Sequence, residues 1–232
     1  DKYKKRRLSE LLKALTEIQQ IEWIRLNYTY PDAFPKDVLK TIATSPKICN
    51  YIDIPLQHIS DNVLKTMKRG IDKKKTYELI NNIRQVIPDV SIRTSFIVGF
   101  PNETEKDFEE LYKFIEEMRF ERVGVFKYSH EENTQAYNLK DKVSERVKNF
   151  RYNTLMDLQQ SISLENNIKK IGHHMNVLID YKNESHFIGR TFADAPEVDN
   201  EVHIETNKKL QVGNFYNLRI TDADAYTIYA KQ

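Results

Sequence analysis

The chain has 232 residues, enough for one large domain or a medium one joined to a small one. Lys and Arg total 36 against 34 Asp and Glu, a formal net charge of +2, which excludes bulk electrostatic attraction to nucleic acid or an anionic membrane. With 40% hydrophobic residues, 13 Tyr and 11 Phe, the composition excludes a disordered tail.

The chain starts at Asp1 and enters a basic run at Lys2, Lys4, Lys5, Arg6 and Arg7, so its natural start is expected upstream. Such a run before a helix is ordinarily a solvated loop, with nucleic-acid binding as the alternative. An amphipathic helix is predicted over 8–19. Strand-length apolar runs then occur at 21–27, 51–56, 91–100 and 122–129, each followed by a helical pattern. Pro35 opens one helix. Ser60 is a good N-cap for the next, with Gly70 placed to stop it. Tyr77, Ile80, Ile83 and Ile87 share a helical face, and Thr104 with Asp107 reads as a capping pair before the stripe Phe108, Leu111, Ile115 and Met118. Alternating strands and helices predict an α/β fold with a parallel sheet, either doubly wound or an arc of a barrel, with functional residues at the carboxyl ends of the strands.

A long helix is predicted over 144–170, with Val147, Phe150, Leu155, Leu158 and Ile162 near one side. Beyond it the period becomes alternating. Met175, Val177, Ile179 and Tyr181 point one way, and four more short strands follow, a small antiparallel β-barrel resembling an OB-fold. The expected domains are 1–171 and 172–232, with the boundary near Gly172.

The longest apolar stretches are a few residues long, whereas a spanning helix needs about 20. No signal peptide is legible, and the single Cys49 cannot form an internal disulfide or hold a metal cluster, which suits the cytoplasm. The six histidines lack metal spacing, and His173 with His174 reads as a surface pair. Asp53-Ile54-Pro55-Leu56-Gln57-His58 ends the second strand, where Gln57 and His58 either meet a polar ligand or form an ordinary loop. A period of two puts Arg93, Ser95, Ile97 and Gly99 on one face of the third strand. An arginine there calls for a carboxylate partner. Gly99 leaves room either for a flat ligand or for close helix packing. In the fourth strand Phe126 and Tyr128 fit a core more readily than a cofactor site.

Asp53-Ile54-Pro55-Leu56-Gln57-His58, Val63-Leu64-Lys65-Thr66-Met67-Lys68-Arg69-Gly70 and Ile97-Val98-Gly99-Phe100-Pro101-Asn102-Glu103-Thr104 resemble the radical S-adenosylmethionine methylthiotransferases across essentially the whole chain. Phe126-Lys127-Tyr128-Ser129 is similar to that family's last barrel strand, and the terminal β unit to its TRAM domain. Asn102 stands where the family usually has glycine, and Asn133 and Gln135 where Gly and Pro are common; Asn tolerates the left-handed backbone at modest cost. Gln57-His58, with the string from Gly189 to Asp199, is similar to the RimO branch, which methylthiolates the β-carbon of an aspartate in the small-subunit ribosomal protein at the decoding centre. Residues 168–232 carry 8 basic and 9 acidic side chains, which fits a basic protein partner better than tRNA. Asp194, Glu197, Asp199 and Glu201 are the expected partner-binding residues.

The resemblance implies S-adenosylmethionine and two 4Fe-4S clusters, the first held by a CxxxCxxC motif that this chain lacks. It therefore looks like the carboxyl-terminal part of such an enzyme, four of six barrel strands plus TRAM, and is expected to be inactive alone. In the parent enzyme, the resemblance implies, cofactor cleavage yields a radical that takes hydrogen from the target carbon; the electron donor is not legible. By the same resemblance Gln57 and Arg93 would hold the cofactor's polar end, Ser95 would add a hydrogen bond, and Ile97, Gly99 and Phe126 would contact the adenine. The competing readings are a tRNA methylthiotransferase of the MiaB type and a non-enzymatic RNA- or ribosome-binding module.

Overall fold

The computed structural model describes residues 6–140 and 143–232, and of Gln135 the backbone alone. Lys2, Lys4 and Lys5 lie outside the described residues, while Arg6 donates to the Ala33 carbonyl at 2.7 Å.

Four parallel strands, β1 (Ile24–Leu26), β2 (Ile48–Asp53), β3 (Ser91–Val98) and β4 (Arg122–Lys127), lie side by side in chain order. α1 (Leu8–Thr16), α2 (Lys36–Thr44), α4 (Lys73–Val86), α5 (Glu105–Met118) and α6 (Glu145–Ile168) bury their apolar faces in one core against Ile52, Ile92, Phe96, Val98 and Val125. Sequential strands with helices on one face make an arc of a barrel, since a doubly wound sheet reverses its order and carries helices on both faces. The opposite, concave face presents Tyr51 and Asp53 from β2, Arg93, Ser95 and Ile97 from β3, and Gly124 and Phe126 from β4, with Ser95 level with Gly124 and Ile97 level with Phe126.

Local chemistry explains the starts of α4, α5 and α6. Asp72 caps α4 through Lys75 N at 2.8 Å, Ser144 caps α6, and Thr104 with Asp107 forms the full capping box of α5. Ser60 occupies the N-cap position of α3 (Asp61–Thr66), but its hydroxyl donates to Asp107 instead of accepting from α3. α3 ends at Thr66 and the chain turns away through Lys68 in the left-handed region (φ 55°), before Gly70 is reached. Asn102 and Asn133 adopt φ of 71° and 64°, as expected of asparagines standing in for glycine.

α6 is phased differently from its apolar pattern. Its buried side chains include Lys148, Arg151, Gln159, Ser163 and Asn167, while Phe150 is 61% exposed. The polar face answers buried carbonyls: Gln159 donates to Phe120 O at 3.0 Å, Ser163 to Ala225 O at 2.6 Å and Asn167 to Asp224 O at 2.9 Å. Through the last two contacts α6 anchors the second unit as well as the first.

That unit is a closed five-stranded barrel of β5 (His174–Lys182), β6 (Phe187–Arg190), β7 (Glu201–Glu205), β8 (Phe215–Ala223) and β9 (Thr227–Lys231), in the order β5-β6-β7-β9-β8. All pairs are antiparallel except β7 with β9. Val177, Ile179, Val202, Ile204, Leu218, Ile220 and Ile228 fill it. A register shift between Ile179 and Tyr181 turns Tyr181 outward, against the simple alternation. His173 and His174 are exposed.

Candidate active site on the concave face

The lower part of the concave face, at the amino ends of the strands, is filled by the barrel's own loop 191–199. Arg25 donates to Phe192 O at 2.6 Å and Thr191 O at 3.3 Å, and its guanidinium lies 4.4 Å from the Tyr51 ring. Ser91 donates to Ala193 O at 2.9 Å. Arg122, first residue of β4, pairs with Asp194, which also accepts from Thr191 Oγ1 at 2.6 Å. Cys49, Tyr51 and Ala195 pack together against Trp23 and Phe192. Burial pushes the Cys49 thiol up from its ordinary value.

This placement corrects two of the four expected partner-binding residues. Asp194 is fully buried, and Asp199 keeps only 2% of its side chain exposed, so neither reaches a second protein. Counting acids along a loop does not reveal that their charges are already answered by arginines across the domain junction. Glu197 and Glu201 are exposed. They flank a cleft of about 610 Å³ that also takes in Tyr181 and Tyr226.

Above the plug, Arg93 sits between two carboxylates. Its Nη1 is 3.2 Å from Asp53 Oδ1 and its Nε 3.4 Å from Asp199 Oδ1, which supplies the partner that an arginine in this strand requires. Asp199 Oδ2 in turn accepts from Tyr51 OH and from Ala195 N, each at 2.8 Å.

The upper part is open. Gln57 follows β2 with φ 72°, its backbone bridging to β3 through Ser95 O and Ile97 N at 2.8 Å each. Its amide lies 3.5 Å from Ser95 Oγ, so the two polar candidates are neighbours. Phe126 is 57% exposed beside Ile97, with its ring edge next to Gly124, so it is not a core residue. Gln57 and Ile97 also line a cleft of about 480 Å³ with Met67, Lys68, Arg69 and Phe100.

Two sequence candidates fall elsewhere. His58 is fully buried on the helix side, where Nδ1 accepts from Ser60 N at 3.0 Å; burial lowers its pKa to about 4, so it is neutral at pH 7 and meets no ligand. Gly99, at φ 76°, has no room for a flat ligand, because the stem of Lys148 from α6 occupies the space a Cβ would need. Of the two readings left open for Gly99, close helix packing holds.

The sequence missed the group that shapes the strand end. Glu103 accepts from Gly99 N and from Phe100 N at 3.0 Å, and pairs with Arg151 Nη1 at 3.0 Å, all in the interior. A carboxylate four residues after a strand-end glycine is the local signal; its arginine lies 48 residues away.

No three His, Cys, Asp or Glu side chains among the described residues group to hold a metal. Among the same residues no helix is long and apolar enough to cross a membrane.

Residues 3–115 match the Radical SAM superfamily and residues 171–232 the TRAM domain. Along its whole length the chain is 51% identical to the ribosomal protein uS12 methylthiotransferase RimO of Christiangramia forsetii and 52% identical to that of Flavobacterium psychrophilum, covering 52% and 54% of those proteins. It thus spans about half the length of the curated relatives it matches. Coproporphyrinogen III oxidase (HemN) from Escherichia coli, a radical SAM enzyme, superposes with a TM-score of 0.57 over 80% of this chain and 49% of its own; at 17% identity that likeness concerns the fold. The chain belongs to the radical SAM methylthiotransferase family, its four-stranded arc forming part of the radical SAM domain and its five-stranded barrel the TRAM domain.

Proposed function

We propose that the intact protein is a cytoplasmic radical S-adenosylmethionine enzyme that methylthiolates the β-carbon of an aspartate in ribosomal protein uS12, at the decoding centre. The observation that carries this reading is the identity of about one residue in two, over the whole length of the chain, with relatives named as ribosomal protein uS12 methylthiotransferases.

The concave face fits S-adenosylmethionine. Its lower half is occupied by the plug, whereas the upper half leaves an exposed aromatic ring above a glycine and a cleft with polar groups at its edge. Phe126 and Ile97 would take the adenine; Gln57, Ser95 and Arg93 would take the polar end. Gly99 is left out of the contact and instead shapes the strand end. When bound, the cofactor supplies the group that takes hydrogen from the target carbon, and a second molecule the methyl group. Two 4Fe-4S clusters complete the proposal. The described residues do not fit a cluster, since Cys49 is buried against Tyr51 and Ala195; the ligands belong to the rest of the protein.

Glu197 and Glu201 would meet the basic substrate protein beside Tyr181 and Tyr226. The test is an anaerobic assay of the complete, cluster-reconstituted protein with uS12 and tRNA offered in parallel. A methylthio mass gain on one uS12 aspartate is expected; a gain on tRNA alone overturns the substrate assignment.

Replacing Phe126 with alanine in the complete protein is expected to weaken S-adenosylmethionine binding about three- to tenfold, the value of one aromatic stack. Equilibrium dialysis reads this directly. Unchanged affinity removes Phe126 from the site.

A further inference from the structure

Arg93 is held by two carboxylates, one from each domain. Asp53 belongs to the same sheet and is itself fixed, its Oδ2 accepting from Tyr28 N at 3.2 Å. Asp199 comes from the barrel and is held by Tyr51 OH and Ala195 N. Neither carboxylate can turn away without giving up a hydrogen bond. The guanidinium is thereby held by Nε on one side and Nη1 on the other, while Nη2 finds no partner among the described residues and the side chain keeps 25% of its surface exposed.

An unclamped arginine samples many rotamers and loses that freedom on binding; a clamped one has lost it already. We propose that Asp199, supplied by the TRAM domain, is a positioning residue: together with Asp53 it aims the open edge of Arg93 at a carboxylate entering the concave face. The carboxylate belongs either to the amino-acid end of S-adenosylmethionine or to the target aspartate, two sources of one chemistry. The TRAM domain then completes the active site as well as meeting a partner. This inference rests on the reading of Arg93 as a ligand contact.

The experiment compares Asp199→Asn, Arg93→Ala and the double variant in the complete, cluster-loaded protein. Affinities for S-adenosylmethionine and for uS12 are measured separately by equilibrium dialysis and titration calorimetry, with thermal melting alongside. Asp199→Asn keeps the size and one acceptor of the side chain but removes its charge. It is expected to weaken one of the two ligands about tenfold, the same ligand that Arg93→Ala weakens, with the double variant no weaker than Arg93→Ala alone. The affected ligand identifies the carboxylate.

A lower melting temperature with both affinities intact overturns the proposal, as does a loss in the double variant that multiplies the two single losses. Unchanged affinities in Arg93→Ala overturn the reading of Arg93 itself, a separable result. If Asp199→Asn does not fold, Tyr51→Phe removes only the hydroxyl that anchors Asp199; an intermediate loss on the same ligand supports the proposal and none overturns it.

Discussion

Arg122→Met is expected to destabilise the protein by about 3–5 kcal/mol, because it strands a buried carboxylate. Asp194 is fully buried, and its charge is answered by Arg122 through Nε at 3.1 Å and through Nη2. Burial alone would raise the carboxyl's pKa; Arg122, Lys170 and the Thr191 hydroxyl together hold it below the ordinary range. A carboxyl depressed on folding contributes stability above its unfolded pKa and loses it as pH falls through the folded one. The cost of Arg122→Met is therefore expected in full at pH 7 and to shrink in acid, as Asp194 takes up a proton. Urea unfolding at the two pH values measures both. Trp23, the chain's one tryptophan, has its ring 4.6 Å from Phe215 of the barrel and reports undocking by fluorescence. Arg122→Met/Asp194→Asn should be less destabilised than Arg122→Met alone; an equal or greater loss would show that the pair is not what holds the loop.

Glu103→Ala is the second large expectation, again about 3–5 kcal/mol by the same physics. The substitution leaves the amides of Gly99 and Phe100 and the buried Arg151 without their shared acceptor. Its consequences extend beyond stability, since the released segment begins two residues after Ile97, and cofactor affinity should fall with it. Burial pushes Glu103 up to about 7, against the opposing pull of Arg151 and the two amides. A carboxyl raised on folding binds its proton more readily in the folded state, so its contribution is full below its ordinary pKa of 4.5 and is lost as pH rises toward 7. Glu103→Gln should flatten that part of the stability profile in denaturant titrations; an unchanged slope would assign it to another group.

Much of this architecture was readable because local and global preferences agree. The Thr104–Asp107 box, the apolar stripe of α5 and the alternation of β3 each specify the element that forms. The two positive-φ asparagines follow from the same local chemistry. α6 was misphased because its buried face is polar: hydrophobic periodicity cannot detect Gln159, Ser163 and Asn167 turned inward to answer carbonyls on distant elements. Arg93 could be seen to need a carboxylate, but not which one. Asp194 and Asp199 looked like solvent-facing acids because their partners are far away in sequence, 72 residues for the Arg122–Asp194 pair and 148 for Tyr51 with Asp199.

Those separations bear on how the chain is made. A nascent polypeptide emerges amino end first, at about 5–20 residues per second, and its early part begins to fold before the rest exists. The arc can close its helix-side core once α6 is out, but Arg25, Arg93 and Arg122 then wait with incomplete pairing until the 191–199 loop emerges. During that interval Arg93 keeps Asp53 alone, and Arg25 and Arg122 stand without the loop groups that later answer them. Emergence of the 191–199 loop, and not the formation of the sheet, is then the step at which these arginines gain their full set of partners.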